Sequence, residues 1–450
     1  MPELENAAIT QEKRARHVSM YHLLATVAAV ACLLTIVDGV IPQFQMHAFG
    51  GHMPIGNVLA KIVLLFSLAL GVLLRPRITL RGLPISAWKV CVAFLALEIG
   101  YLVFGRDMTL GDVLQSYNAY YLLPLIGPAV LPFRGAVSER VLLRCIISLF
   151  LVSAAIGFAQ YFTRQPLLYT QSADGAFTVW SYQFFDSVRA FGLFSTAMNF
   201  GLFCSLCGAL GIALCAEHPV RGISLTLLSA FSCYTTLVRT CYLMFFCACT
   251  YAALITFGRK ANRGLWQPLL YFGLGIATIL YGARSMGSDS SDGLENATSL
   301  IDRLIEWTYY TQLFVRSSPA AQLFGLGLVQ NDKVSLAQST PAAIDNLPLA
   351  LTMHIGLIGL VVFSVLLVRM WLSLRRAALT DRQPFIVAAA SLLATLGCSG
   401  TFNMMLSPFG AVFALSILCE RRAHECSVSG AAGIKMPERS PLAAAARPSS

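Results

Sequence analysis

Charge is what this 450-residue sequence has least of. Asp, Glu, Lys and Arg make up 12% of it, about half the share usual in a soluble domain. That leaves too little polar surface to cover a water-soluble body, since 56% of the residues are hydrophobic and the mean hydropathy is +0.68. Strict apolar–polar alternation is missing too, which excludes a lipid-facing β-barrel. The two longest polar loops contain no cysteine, so no disulfide framework is expected there, although 13 cysteines occur elsewhere. No Cys-x-x-Cys pairs are spaced for zinc. Cys204 and Cys207 share a helix face and read as small core residues. No repeat of solenoid period is found.

Long apolar runs take the place of charge. Many reach about 20 residues, the length a helix needs to cross the hydrocarbon core. In lipid the backbone must satisfy its own hydrogen bonds, so such runs are helices. The expected fold is an all-α polytopic membrane protein with about 12 transmembrane helices. Spans are predicted at 20–41, 54–74, 84–104, 113–132, 141–161, 193–215, 265–283, 349–368, 384–402 and 405–419. A further run, 223–257, is split in two at Arg239. The first run is too long for a cleavable signal peptide, and no small-residue cleavage site follows it. The tail 423–450 is rich in Ala, Ser, Pro and Gly and reads as disordered.

The formal net charge of +10 does not point to nucleic acid, because the excess gathers in alternate short loops. With the segment 1–19 in the cytoplasm, alternation puts Arg75, Arg77, Arg81, Arg134, Arg140 and Arg144 on the same side. Arg221, Arg259, Lys260, Arg263, Arg375, Arg376 and Arg382 follow there. This is the positive-inside distribution, and it places both ends of the chain in the cytoplasm. Two long loops, 162–192 and 284–348, then face outward. Long loops in a membrane protein usually carry function.

The first loop ends in Val-Arg189-Ala-Phe-Gly192-Leu-Phe194 and runs into a helix. An arginine fork beside the N–H groups of a helix start suits a phosphate. Gly192 would let the backbone approach a ligand closely. The competing reading is an interfacial arginine beside a flexible glycine. Arg239 interrupts an apolar run, and a charge near membrane depth is a functional candidate; it could equally be a snorkelling residue at a turn. Lys61, within the second span, is a third cation of interest.

In the second loop, Ser299-Leu-Ile-Asp302 reads as a capping box. Leu300, Leu304, Trp307 and Phe314 recur at helical spacing behind it. A helix lying on the outer surface is expected, with Trp307, Tyr309 and Tyr310 at the membrane–water boundary. Arg303 and Arg316 add outward cations, although the loop as a whole is acidic. Phe324-Gly325-Leu-Gly327, Asp345-Asn346 and Gly356-Leu-Ile-Gly359 follow in order.

The order of these motifs resembles the O-antigen ligase and Wzy-type polysaccharide polymerase superfamily of bacterial inner membranes, over roughly 162–418. Members carry an Arg-Gly-Phe motif leading into a helix, as Arg189, Gly192 and Phe194 do here. A Ser/Thr-Arg pair interrupts an apolar run, as Arg239 does. An Arg-x-x-x-Trp helix follows in the large loop, matched by Arg303 and Trp307, and then a Gly-x-Gly, matched by Gly325 and Gly327. Last comes His-Asn, nine residues and Gly-x-x-Gly; here Asn346 stands ahead of Gly356 and Gly359 at that spacing. Asp345 occupies the place of the histidine. Ligases rely on that histidine, so the departure favours a polymerase. The Pro-Asn after the first motif is absent, with Asn199 a shifted counterpart at most.

The resemblance implies a substrate: oligosaccharide repeat units on undecaprenyl pyrophosphate at the outer leaflet. An acceptor hydroxyl would attack the anomeric carbon of the donor glycan, and undecaprenyl pyrophosphate would leave. Arg189 and Arg239 would stabilise the leaving pyrophosphate, with Arg303 as a third candidate. Asp345 would accept the hydroxyl proton, or else cap the helix that follows. Gly192, Trp307, Gly327, Asn346 and Lys61 are the further candidates for substrate binding. No metal and no cofactor is expected. The implied partners are membrane lipid and, in the same pathway, a flippase and a chain-length regulator, with no nucleic acid. The alternatives are an O-antigen ligase and, from another class, a transporter or flippase of lipid-linked sugars.

Overall fold

The computed structural model describes residues 22–37, 39, 130, 133–165, 167, 183–184, 187–258, 307–325, 346–396 and 407–420. The chain divides into two units, Met1–Glu420 and Arg421–Ser450, and every described residue belongs to the first. The predicted spans at 54–74, 84–104 and 265–283 lie outside the described residues. So does 113–132 apart from Val130, and so do the two tails.

The described helices are α1 (His22–Ile36), α2 (Glu139–Thr163), α3 (Ala197–Leu214), α4 (Pro219–Thr235) and α5 (Arg239–Phe257). After them come α6 (307–316), α7 (Pro319–Phe324), α8 (Leu347–Asp381), α9 (Pro384–Ala394) and α10 (Ser407–Cys419). One short antiparallel pair, β1 (Gln183–Phe184) with β2 (Ser187–Val188), sits ahead of α3. Four described helices, α2, α3, α5 and α8, are long and apolar enough to cross a membrane, while α1, α9 and α10 are apolar but shorter. The described part of the chain is that of a helical membrane protein.

The central helix is α3, which is buried nearly all round. Its small residues explain this, because small residues let helices approach closely within lipid. Gly201 lies against Cys241 of α5, and Gly211 against the backbone of α4 at Gly222. Cys204 and Cys207 are wholly buried in the same core. On α8, by contrast, Val361, Val365 and Val368 recur at helical spacing and are exposed, a stripe suited to acyl chains.

Arg239 does divide the 223–257 run. Thr235 and Thr236 turn their hydroxyls onto the carbonyls of Ser232 and Cys233. Leu237 then takes a left-handed φ of 53°, Val238 is extended, and Arg239 opens α5. Another boundary differs from expectation: helix was predicted from residue 193, but α3 starts at Ala197, where the Thr196 hydroxyl caps it by accepting the Asn199 N–H at 3.1 Å.

The bundle has two distinct ends. At the Glu139 end, Glu139 Oε1 accepts the Phe385 N–H at 3.2 Å, Arg134 pairs with Glu420, and His22 Nδ1 lies 3.3 Å from the Ala136 carbonyl. At the other end, the Gln160 end, α2 finishes beside Phe191 and Gly192, and Gly39 abuts Leu193 and Phe194. The helix α8 runs toward the Glu139 end, since α9 starts there, so its Asn346 start belongs to the Gln160 end.

Candidate functional site

Two structural joints meet at the Gln160 end. The first brings Arg189 and Arg239 together. The Ala190 N–H donates to the Thr235 carbonyl at 3.0 Å, which ties the chain beside Arg189 to the last residue of α4. Val188, Phe191 and Ala197 form a small buried cluster with Val238 packed on it. Each arginine is therefore next in sequence to a residue of one cluster. Cys241, in the first turn of α5, lies within electrostatic reach of the Arg189 guanidinium. Arg189 is half-buried and Arg239 exposed.

The helix start expected beside Arg189 is not the one observed. Arg189 stands well upstream of Thr196, with a turn between them. The neighbouring helix start is that of α5, which has no side-chain cap at Val238.

Gly192 also takes a different place from the one expected of a ligand-approach glycine. It is buried, with φ +56°, and a Cβ there would meet the Ser153 carbonyl oxygen at 2.7 Å. Its N–H donates to Gln160 Oε1 at 2.9 Å. Packing against α2 is what requires glycine here.

The second joint anchors the outer helices on α8. Tyr310 of α6 is buried with Ala350 and Met353, and Leu313 and Phe314 pack on the same group. Past α7, Gly325 has φ +93° and Gly356 has φ +70°. A Cβ on Gly325 would strike the His354 carbonyl, and one on Gly356 would strike the Leu323 carbonyl. Only glycine permits this backbone-on-backbone approach. Gly356 also breaks the helical dihedrals within α8. The predicted span at 349–368 is thus kinked rather than continuous.

Of the remaining candidates, Asn346 is the N-cap of α8 and accepts the Leu349 N–H at 3.0 Å. The capping role foreseen for Asp345 belongs to its neighbour. Trp307 is half-buried at the first described position of α6. Lys61, Arg303, Gly327 and Asp345 lie outside the described residues, as does the capping box at 299–302. Gln160 and Arg164 were not foreseen. The signal for Gln160 was a lone amide in the last turn of an apolar span.

The charge of the two ends differs. Every described acidic residue, namely Glu139, Glu217, Asp381 and Glu420, is at the Glu139 end. The described charges at the Gln160 end are Arg164, Arg189 and Arg239, with Arg316 on α6. A guanidinium fork can hold an oxyanion in bidentate fashion, and the backbones that carry Arg189 and Arg239 are neighbours here. No protein-family model matches the sequence, and no curated protein matches it.

Proposed function

We propose that this protein is a polysaccharide polymerase of the bacterial inner membrane, with the Gln160 end facing the periplasm. In this reading the chain makes about twelve crossings, both termini are cytoplasmic, and the loops 162–192 and 284–348 are periplasmic. The substrates are oligosaccharide repeat units carried on undecaprenyl pyrophosphate. The observation that carries the reading is the convergence of Arg189 and Arg239, from separate segments, at one end of the helix bundle. The arginines at the Glu139 end support the orientation, because positive loops stay in the cytoplasm.

The acceptor hydroxyl oxygen attacks the anomeric carbon of the donor. The bond from that carbon to the pyrophosphate oxygen breaks, and the electron pair leaves with undecaprenyl pyrophosphate. Arg189 and Arg239 stabilise the charge that develops on this oxygen. Fixed donors of this kind contribute about 10²–10³ in rate each. Asp345 takes the hydroxyl proton; its neighbour Asn346 opens α8 at the same end. The joint at Gly325 and Gly356 holds α6 and α7 in place over the start of α8, so that the acceptor glycan lies under a fixed roof.

The test is glycan length in cells lacking this gene, complemented with wild type or Arg239→Ala. Loss of high-mass polymer, with single repeat units still reaching the surface and no rescue by Arg239→Ala, is the expected result. Full-length polymer accumulating on its lipid carrier indicates a ligase. Repeat units trapped in the cytoplasmic leaflet indicate a flippase, and either outcome rejects the reading.

A further inference from the structure

Gln160 is wholly buried in the last turn of α2, and the backbone uses every hydrogen-bonding position of its side chain. Oε1 accepts the N–H groups of Phe191 at 3.1 Å and of Gly192 at 2.9 Å. Nε2 donates to the carbonyls of Leu167 at 3.2 Å and Gly192 at 3.4 Å. A primary amide has two donor hydrogens and two acceptor lone pairs, so this one has nothing left with which to touch a substrate. It joins three stretches of chain instead: α2, the exit from α2 at Leu167, and the segment that follows Arg189.

In the same segment, directly after Arg189, the Ala190 N–H is bonded to the Thr235 carbonyl at the end of α4. Gly192 is pressed against Ser153 of α2. The backbone after Arg189 is therefore clamped to two helices, and the amide of Gln160 makes most of the polar part of that clamp.

We propose that Gln160 is a positioning residue: it fixes the Phe191–Gly192 backbone so that the Arg189 guanidinium is presented toward Arg239 for one anionic group. This rests on the reading of Arg189 as a pyrophosphate ligand. What the two N–H groups require is a side chain of this length ending in an acceptor oxygen. Asn is one methylene too short to reach both N–H groups, and Met fills the space without bonding either.

The test uses the full-length protein in detergent, with Gln160→Met, Arg189→Ala, the double variant, and Ser391→Ala as a control. Ser391 is a buried hydroxyl of α9 bonded within its own helix. Two readouts are taken: turnover of a lipid-pyrophosphate-linked repeat unit, and hydrogen exchange at the Phe191 and Gly192 amides. Gln160→Met is expected to lower kcat on the order of 10- to 100-fold, with little change in KM, as misplacement of a catalytic group does. The double variant is expected to match Arg189→Ala within about twofold, because both changes remove one function. Exchange at 191 and 192 should rise on the order of tenfold in Gln160→Met and stay unchanged in Ser391→Ala.

Losses that multiply in the double variant overturn the proposal, as does unchanged exchange at 191 and 192. Wild-type turnover by Arg189→Ala removes the pyrophosphate reading and this proposal's kinetic arm, while the exchange arm still decides whether Gln160 holds the segment. If Gln160→Met does not fold, Gln160→Glu keeps an oxygen for both N–H groups. Protection retained there is the expected result, and protection lost overturns the proposal.

Discussion

Among the described residues, the two ends of the bundle use the same residue type in different settings. At the Glu139 end arginines stand among carboxylates: Arg134 pairs with Glu420, and Glu139 itself binds the start of α9. At the Gln160 end the described charges are arginines alone, and two of them are drawn together by backbone bonds and a shared apolar cluster. The first arrangement suits topology, where a positive surface keeps loops in the cytoplasm. The second suits a ligand, since two guanidinium groups carried on neighbouring stretches of backbone can serve one anion. Arginine content alone therefore says little about function. The way the backbone presents it carries the information.

The sharpest way to break this comparison is to exchange the fates of the two ends. Arg189→Ala and Arg239→Ala should each lower polymer formation on the order of 100-fold or more. Arg376→Ala, at the other end, should leave it near wild type. Polymer analysis of complemented cells decides between them. Equal effects at both ends would erase the distinction.

A smaller effect is expected from the joint under the outer helices. Gly356→Ala and Gly325→Ala place a Cβ against a carbonyl at positive φ. Each should destabilise the protein on the order of 2–3 kcal/mol, visible as a lower Tm in detergent. Ala at Gly359 should do less, because Gly359 is not at positive φ, although its Cβ would meet the Ile355 Cβ at 2.6 Å.

Smaller again is the cap. Asn346→Ala removes the bond to the Leu349 N–H and should cost about 1 kcal/mol, read by the same thermal unfolding. If Asn346→Ala abolishes polymer with little change in Tm, then Asn346 touches substrate as well as capping α8. Last comes Arg134→Gln at the Glu139 end. The pair with Glu420 is partly exposed, and such pairs contribute about 0–1 kcal/mol. A large loss of stability there would show that this end is held by charge rather than by packing.

Much of the helix placement was legible in the sequence. Helices α2, α5 and α10 lie where long apolar runs predicted them, because burying apolar surface dominates the choice of span, whereas α8 continues past the expected end at 368 to Asp381 and α9 ends at Ala394. The break at Arg239 was legible for the same reason: a charge inside an apolar run needs an exit. The kink at Gly356 was not, since glycine is common in membrane helices and only the approach of Gly325 makes its positive φ necessary. The true start of α3 was also hidden. Leu193 and Phe194 are apolar enough to open a helix, yet the turn at Gly192 and the Thr196 cap delay its start to Ala197.

Arg189 and Arg239 were legible as candidates, but their proximity was not. It depends on Ala190 reaching Thr235, a contact between segments far apart in sequence. Gln160 escaped notice because one amide in an apolar run carries no pattern. Its meaning lies in the four backbone atoms around it.

The most direct measurement is transfer by the purified protein, supplied with a synthetic repeat unit on undecaprenyl pyrophosphate. Wild type is compared with the double variant Arg189→Ala, Arg239→Ala and with the double variant Arg134→Ala, Arg376→Ala. The account predicts growing glycan chains from wild type and from the Glu139-end variant, and none from the Gln160-end variant. Chains of equal length from all three, or from none, would contradict it.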